Sequence, residues 1–433
     1  MDEQATINNK IISKEFIQKA SVWAQQFDTV CLLNNNQIKN ALQLQEIEFA
    51  MAVGRADSIT GNGKTDWEDL KQFIDTYSGN VPVFGFLTYD LKNQLEKLSS
   101  KHPDGINFPS MFFFTPIHLI LIDTNGQLIV MSEKGNELLK EIEAIPIPSK
   151  KADPIKMKPR VSKESYIKRV EKIIQHIVAG DVYELNYCVE FYSEGIEIDP
   201  LETYLKLQEI SPTPFASFIK WENRYLLSAS PERFIKKSLN KLYSQPIKGT
   251  VRRSDDPQHD LELIEQLKNS EKEKAENLMI VDLVRNDLAK SSITGSVAVE
   301  ELFGIYSFKQ VHQMISTVSS TIIDGIHPVE AIENAFPMGS MTGAPKVKAM
   351  ELIEELENTK RGLYSGSVGY FAPNEDFDFN VVIRSIQYNA TNKYVNFEVG
   401  SAITYDSIPE QEYEECMLKA QAMLNALNAS VNH

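Results

Sequence analysis

Four glutamates pose the first chemical question. Glu273 and Glu276 stand three apart in EKEKAENLMIVDLVRNDL, and Glu412 and Glu415 repeat that spacing in SIPEQEYEECMLKAQAML, with Lys419 one turn further on. Residues three or four apart share a helix face, so each pair presents two carboxylates on one side. Either pair alone reads as a solvated surface, the ordinary place for charge. If the pairs converge, the carboxylates repel one another unless a hard cation sits between them. Oxygen ligands suit Mg2+, which keeps several waters and reaches part of its substrate. Seven histidines and the separated cysteines Cys31, Cys188 and Cys416 form no zinc or disulfide pattern.

Lys248 is the second candidate. In YSQPIKGTVRR it follows Pro246 and precedes Gly249, a strand end and tight turn by the fixed φ of proline and the freedom of glycine. A solvated turn lysine and a nucleophilic amine beside a cleft are both compatible with that. Arg384 interrupts the apolar VVIRS. A buried guanidinium needs either an internal carboxylate or a ligand's carboxylate gripped in bidentate fashion. GSMTGAPKVKAMELIEELE has the glycines, lysine and helix of a phosphate loop but not its spacing, and Pro345 removes a backbone donor. What remains is a helix start with Gly343, Ser340 and Thr342, either an anion cradle or an ordinary cap. Glu232 in SASPERF and His312 at a strand start do not mark a site by themselves.

These residues need elements to hold them. Ser162 can cap a helix with Tyr166, Val170, Ile173, Ile174 and Ile177 at helical spacing, ending at Gly180. HLILIDTNGQLIVM reads as a hairpin turning at Asn125-Gly126. NVPVFGFLTYDL, DVYELNYCVEFY, VHQMISTVSSTI, GLYSGSVGYF, FNVVIRSIQY and YVNFEVGSAITY read as strands. RYLLSASPERFIKK reads as a strand, a turn at Ser230-Pro231 and a return. Helices are expected over 258–289, after Gly343 with Pro345 in the first turn, and from Pro409 with Ser407 as cap. Strand runs mixed with long helices predict an α/β (α+β) fold. The Pro- and Lys-rich stretch at 151–161 reads as a linker between an N-terminal lobe, 1–150, and a catalytic domain, 162–430. A net charge of −16 disfavours nucleic acid and anionic membranes as partners. No apolar run reaches membrane-span length, and the polar start has no signal-peptide core, so a cytoplasmic location is expected.

SPERF, PIKGT, AENLMIVDLVRNDL, GSMTGAPKVKAMELIEELE, SGSVGYF, VVIRS and PEQEYEECMLKA follow one another in a recognisable order. Over about residues 160 to 428 the chain resembles the chorismate-utilising enzymes, the family of anthranilate synthase component I, aminodeoxychorismate synthase component I, and the isochorismate and salicylate synthases. The resemblance implies two large packed β-sheets surrounded by helices, with the active site in a cleft. It implies Glu276 and Glu415 as magnesium ligands supported by Glu273 and Glu412, the metal holding the ring carboxylate of chorismate. It implies Arg384 and Tyr370 on the enolpyruvyl carboxylate, and Gly249, Thr250, Gly400, Ser401 and Ala402 near substrate carboxylates. Glu232 becomes the acid that protonates the departing C4 hydroxyl, His312 a residue near the ring, and Lys419 a cation near the metal-bound carboxylate.

Within this family, a lysine at the position of Lys248 accompanies amination at C4, and alanine accompanies the other chemistries. The resemblance therefore implies a covalent Lys248 intermediate. It also implies conversion of chorismate and ammonia to 4-amino-4-deoxychorismate, the precursor of p-aminobenzoate in folate synthesis. None of the cysteines sits in a nucleophile elbow, so the ammonia is expected from a separate glutamine amidotransferase subunit. Anthranilate synthase component I, with Lys248 a neutral replacement, and a silent chorismate-binding module are the alternatives; product identity separates them. Three departures stand out. Glu184 occupies the place of the water-activating lysine of isochorismate synthases, Ala402 replaces a glycine, and CLLNNN differs from the Leu-Leu-Glu-Ser motif for feedback tryptophan.

Overall fold

The computed structural model describes residues 4–7, 13–38, 44, 46–147 and 153–431. Its strands join into one hydrogen-bonded band, almost entirely antiparallel, with helices packed on it. The first half of the band runs from the strand Val311–Thr321 through Lys241–Gln245, Arg233–Ser238, Phe377–Asn380, Ser367–Phe371 and Val83–Leu87 to Met111–Asp123. The second half continues from Met111–Asp123 through Ile47–Thr60, Thr29–Asn34, Phe215–Trp221, Arg224–Ser230, Ser385–Asn389 and Tyr394–Ile403 to Glu184–Glu194.

Strands from the first 150 residues thus form the middle of the band and pair with strands from the rest of the chain on both sides. Within the stretch read as a linker, Ile155–Pro159 is a strand with Ile155 and Met157 buried, paired to Ala429–Val431 and Glu184–Glu194. Its Ile-x-Met alternation buries one face. Residues 151–152 lie outside the described residues.

Two short segments beside each other carry the chain directly from a strand of one half of the band to a strand of the other. The expected return at Ser230-Pro231 is not a hairpin. Arg224–Ser230 pairs in the second half, Arg233–Ser238 in the first, and the two do not pair with each other. The apolar run around VVIRS is likewise split, with Phe377–Asn380 in the first half and Ser385–Asn389 in the second. The two crossings lie side by side: Val381 N donates to Glu232 O at 3.0 Å, and Ala229 N to Arg384 O at 3.1 Å.

Helices cover the band where their apolar stripes require it. Lys163–Val178 is capped by Ser162, whose Oγ accepts from Ser165 N, and buries Tyr166, Val170 and Ile173. Pro409–Ala426 buries Tyr413, Cys416, Ala420, Met423 and Leu424 in the same core cluster. Its cap position is Ile408, and Ser407 instead donates to Glu412 Oε1 at 2.8 Å. The expected helical region at 258–289 is two helices, Pro257–Asn269 and Glu271–Ala289, meeting at Ser270, which caps the second. Pro345 is the cap residue of Lys346–Leu356 rather than part of its first turn. The Asn125-Gly126 turn forms as expected, with Gly126 at φ +79. Among the described residues, no helix is long and apolar enough to cross a membrane.

Candidate active site

The two ends of the band meet at Lys248. The strand Ile247–Arg252 pairs with Val311–Thr321, but the register slips between Ile247 and Thr250. A bulge of this kind leaves residues unpaired and re-aims a side chain. Gly249 holds it, at φ +89, with the place of a Cβ 3.1 Å from Glu273 Oε2. A side chain there would be strained by the left-handed backbone and would press on that helix. The bulge sends Lys248 across to the far end of the band, where Nζ donates to Glu184 Oε1 at 2.5 Å. The Lys248 side chain is 10% exposed and that of Glu184 1%.

Glu232 comes from the first crossing and is 5% exposed. Ser340 Oγ donates to its Oε1 at 2.6 Å. Burial pushes its carboxyl up to about 7, against the opposing pull of Ser340, Lys248 and Arg384. Arg384 comes from the second crossing, at φ +50, a backbone region costly for a residue with a side chain. Burial pulls its guanidinium below its ordinary value, with the Glu232 charge opposing. Among the described residues it has no carboxylate within ion-pair distance, so it is a half-buried cation available to an anionic ligand.

The carboxylates of two helices face this group. Burial pushes Glu276 up to about 7, with Lys248 opposing and Glu273 and Glu184 adding to the rise. Burial also raises Glu273, where Lys272 opposes and Glu415 adds. Partial burial acts to raise Glu415, but Lys419 at 2.7 Å, with Lys272 and Lys248, outweighs it and holds that carboxyl below its usual range. Glu273, Glu276 and Glu415 therefore share one electrostatic environment with Lys248. Lys419 also donates to Gly400 O at 2.9 Å, and a Cβ at Gly400 would fall 2.6 Å from Cys188 Sγ. Ser401 is buried, its Oγ 3.2 Å from Tyr166 Oη, and Ala402 pairs with Asn186.

Several expected residues lie elsewhere. Glu412 turns away to Ser407. Among the described residues, no three His, Cys, Asp or Glu side chains form a ready ligand cluster. Glu276 and Glu415 are instead paired with Lys272 and Lys419, at 3.8 and 2.7 Å, because like-charged carboxylates take whatever cations lie nearest. Thr342 is fully buried and its Oγ1 donates to Met338 O and Gly339 O, which leaves it closed to a ligand. Tyr370 tilts on Phe84 and lines a separate cavity with Leu33, Pro214, Phe215 and Asp378; Arg384 is not among the residues lining it. His312 is fully buried with both ring nitrogens engaged, Nε2 2.9 Å from Asp260 Oδ1 and Nδ1 2.7 Å from Ser307 Oγ.

Nothing in the sequence marks the residue after His312. Neighbours on a strand face opposite ways, and Gln313 is turned towards Thr250, donating to its Oγ1 at 3.3 Å with its own Oε1 buried and unpartnered. The sequence marks Glu184 as a departure from the isochorismate pattern and not as the partner of Lys248. An acid in a strand rich in apolar and aromatic residues is the available signal, one that Glu184 shares with the buried Glu190.

A family model described as chorismate binding enzyme matches residues 11–425. The chain belongs to the chorismate binding enzyme family. Among curated relatives, it is 36% identical over 423 residues to the chloroplastic aminodeoxychorismate synthase of Arabidopsis thaliana, covering 92% of this chain and 45% of that protein. It is 34% identical over 380 residues to aminodeoxychorismate synthase component 1 of Bacillus subtilis, covering 84% of this chain and 80% of that one. The chain thus spans less than half the length of the plant relatives it matches. Among solved structures, anthranilate synthase component I from Streptococcus pneumoniae matches at TM-score 0.78 and 25% identity, over 98% of this chain and all of that one. The fold is that of this chorismate-binding family.

Proposed function

We propose that this chain aminates chorismate at C4, as the chorismate-binding component of an aminodeoxychorismate synthase. The observation that carries the reading is the bulge at Lys248–Gly249, which aims an amine into the same buried group as Glu232 and Arg384. The names of the Arabidopsis and Bacillus relatives support it. Arg384 holds a substrate carboxylate. Lys248 adds at C2 of the ring while the C4 hydroxyl leaves, and a covalent intermediate results. Glu232, kept protonated near neutrality by burial, gives its proton to that hydroxyl so that it departs as water. Ammonia then adds at C4 and the C2–nitrogen bond to lysine breaks.

The carboxylates of Glu276, Glu273 and Glu415 fit a hard divalent cation, because their oxygens share a half-buried environment in which charge otherwise repels. Mg2+ there would neutralise them and hold the ring carboxylate. A glutamine amidotransferase partner would supply the ammonia, and the product would feed p-aminobenzoate and folate synthesis. Incubation with chorismate, Mg2+ and an ammonium salt tests the reading by chromatography of the product. 4-Amino-4-deoxychorismate is expected; anthranilate would overturn the assignment.

A further inference from the structure

Lys248 cannot attack while it is an ammonium, and its surroundings favour the ammonium. Burial alone would lower its pKa, but Glu184, followed by Glu276 and Glu232, holds it above the ordinary lysine value. A proton acceptor must therefore lie within reach of Nζ. Among the described residues, Nζ makes its side-chain hydrogen bond to Glu184 Oε1, at 2.5 Å.

We propose that Glu184 takes the proton from Lys248 before attack and returns it when lysine leaves, a role that rests on the C4-amination reading above. Three features of Glu184 support this. It is completely buried, so the proton is not shared with solvent. Its Oε2 is buried without a hydrogen-bond partner. Among the described residues that oxygen faces no competing donor, whereas the Glu232 carboxylate accepts from Ser340. Its position is also fixed. Tyr183 N donates to Ala344 O at 2.7 Å and Asn186 N to Thr342 O at 2.8 Å, and Gly343 packs so closely that a Cβ would lie 2.1 Å from Glu184 O.

The other charged groups around Nζ have different positions. Glu276 and Glu273 come from the helix Glu271–Ala289, Glu415 from Pro409–Ala426 and Glu232 from the first crossing; all act on Lys248 through space without a hydrogen bond to it. Lys272, Lys419 and Arg384 are the neighbouring cations. The protons balance. The ammonium and the Glu184 carboxylate become an amine and a carboxylic acid. The amine forms the C2–nitrogen bond as the C4–oxygen bond breaks, with the Glu232 proton leaving in water. Ammonia forms the C4–nitrogen bond, its extra proton returning to the Glu232 carboxylate, as the C2–nitrogen bond breaks and lysine leaves as a neutral amine that regains its proton from Glu184.

Rapid-quench mass spectrometry of adduct formation with chorismate and Mg2+, without ammonia, tests this in the wild type, Glu184→Gln and Glu184→Asp. The wild-type to Gln ratio of rates cancels the ionisation of Glu232, which is common to both. It should be about 100-fold near pH 6, a general-base effect, and shrink as pH rises, because the lysine of the Gln variant has lost the Glu184 charge that holds its proton and is deprotonated by solvent more easily. Glu184→Asp, which keeps a carboxylate, should run parallel to the wild type across pH. A ratio that stays constant with pH, or an Asp variant as steep as the Gln variant, overturns the role of Glu184 alone. Absence of any adduct in the wild type overturns the covalent reading and this role with it.

Discussion

Replacing Glu232 by glutamine should weaken catalysis and strengthen the fold, with the second effect confined to high pH. Burial raises this carboxyl from 4.5 to about 7, a difference worth about 3 kcal/mol. Between those values the native chain holds a proton that the unfolded chain has released, so native stability falls as pH rises through that window and levels off above it. Glutamine is neutral throughout and can still accept from Ser340. Urea unfolding at pH 5 and pH 8 should therefore show the variant gaining on the wild type by about 2 to 3 kcal/mol between the two conditions. Over the same comparison kcat/KM should drop by about 10²–10⁴-fold, and the wild type should lose activity above about pH 7 as its acid ionises. A stability difference identical at both pH values would refute the claim that burial keeps Glu232 protonated.

Arg384→Ala removes a cation with no carboxylate partner among the described residues, so stability should change little while KM for chorismate rises about 10- to 100-fold, the range for a charged hydrogen bond; an unchanged KM would remove Arg384 from the substrate. Mg2+ should raise the melting temperature at pH 8 and do so progressively less below about pH 7, where Glu276 takes up a proton. Thermal melts across pH check this, and a pH-independent shift would place the ion elsewhere.

Local features were legible from the sequence because local chemistry sets them. Ser162 caps its helix, Asn125-Gly126 turns its hairpin, and Glu273 and Glu276 share a helix face turned to the cleft. The crossings were not legible. The residues around Ser230-Pro231 look the same whether the next strand folds back or joins the other half of the band, because its pairing partner lies far away in the chain. The strand-facing errors have one cause. A strand alternates faces every residue, so a motif read without register can put a side chain on the wrong side. His312 points to Asp260 while Gln313 points to Thr250, and Tyr370 lines the second cavity. Thr342 and Glu412 failed differently, satisfied by neighbouring groups only a few residues away.

The proposed chemistry turns on Lys248 as the nucleophile. Wild-type protein quenched with chorismate and Mg2+ in the absence of ammonia, then digested and mapped by mass spectrometry, tests it directly. An adduct of chorismate less one water is expected on the peptide containing Lys248, and none in Lys248→Ala. An adduct that persists in that variant, or one that maps to another residue, would contradict it.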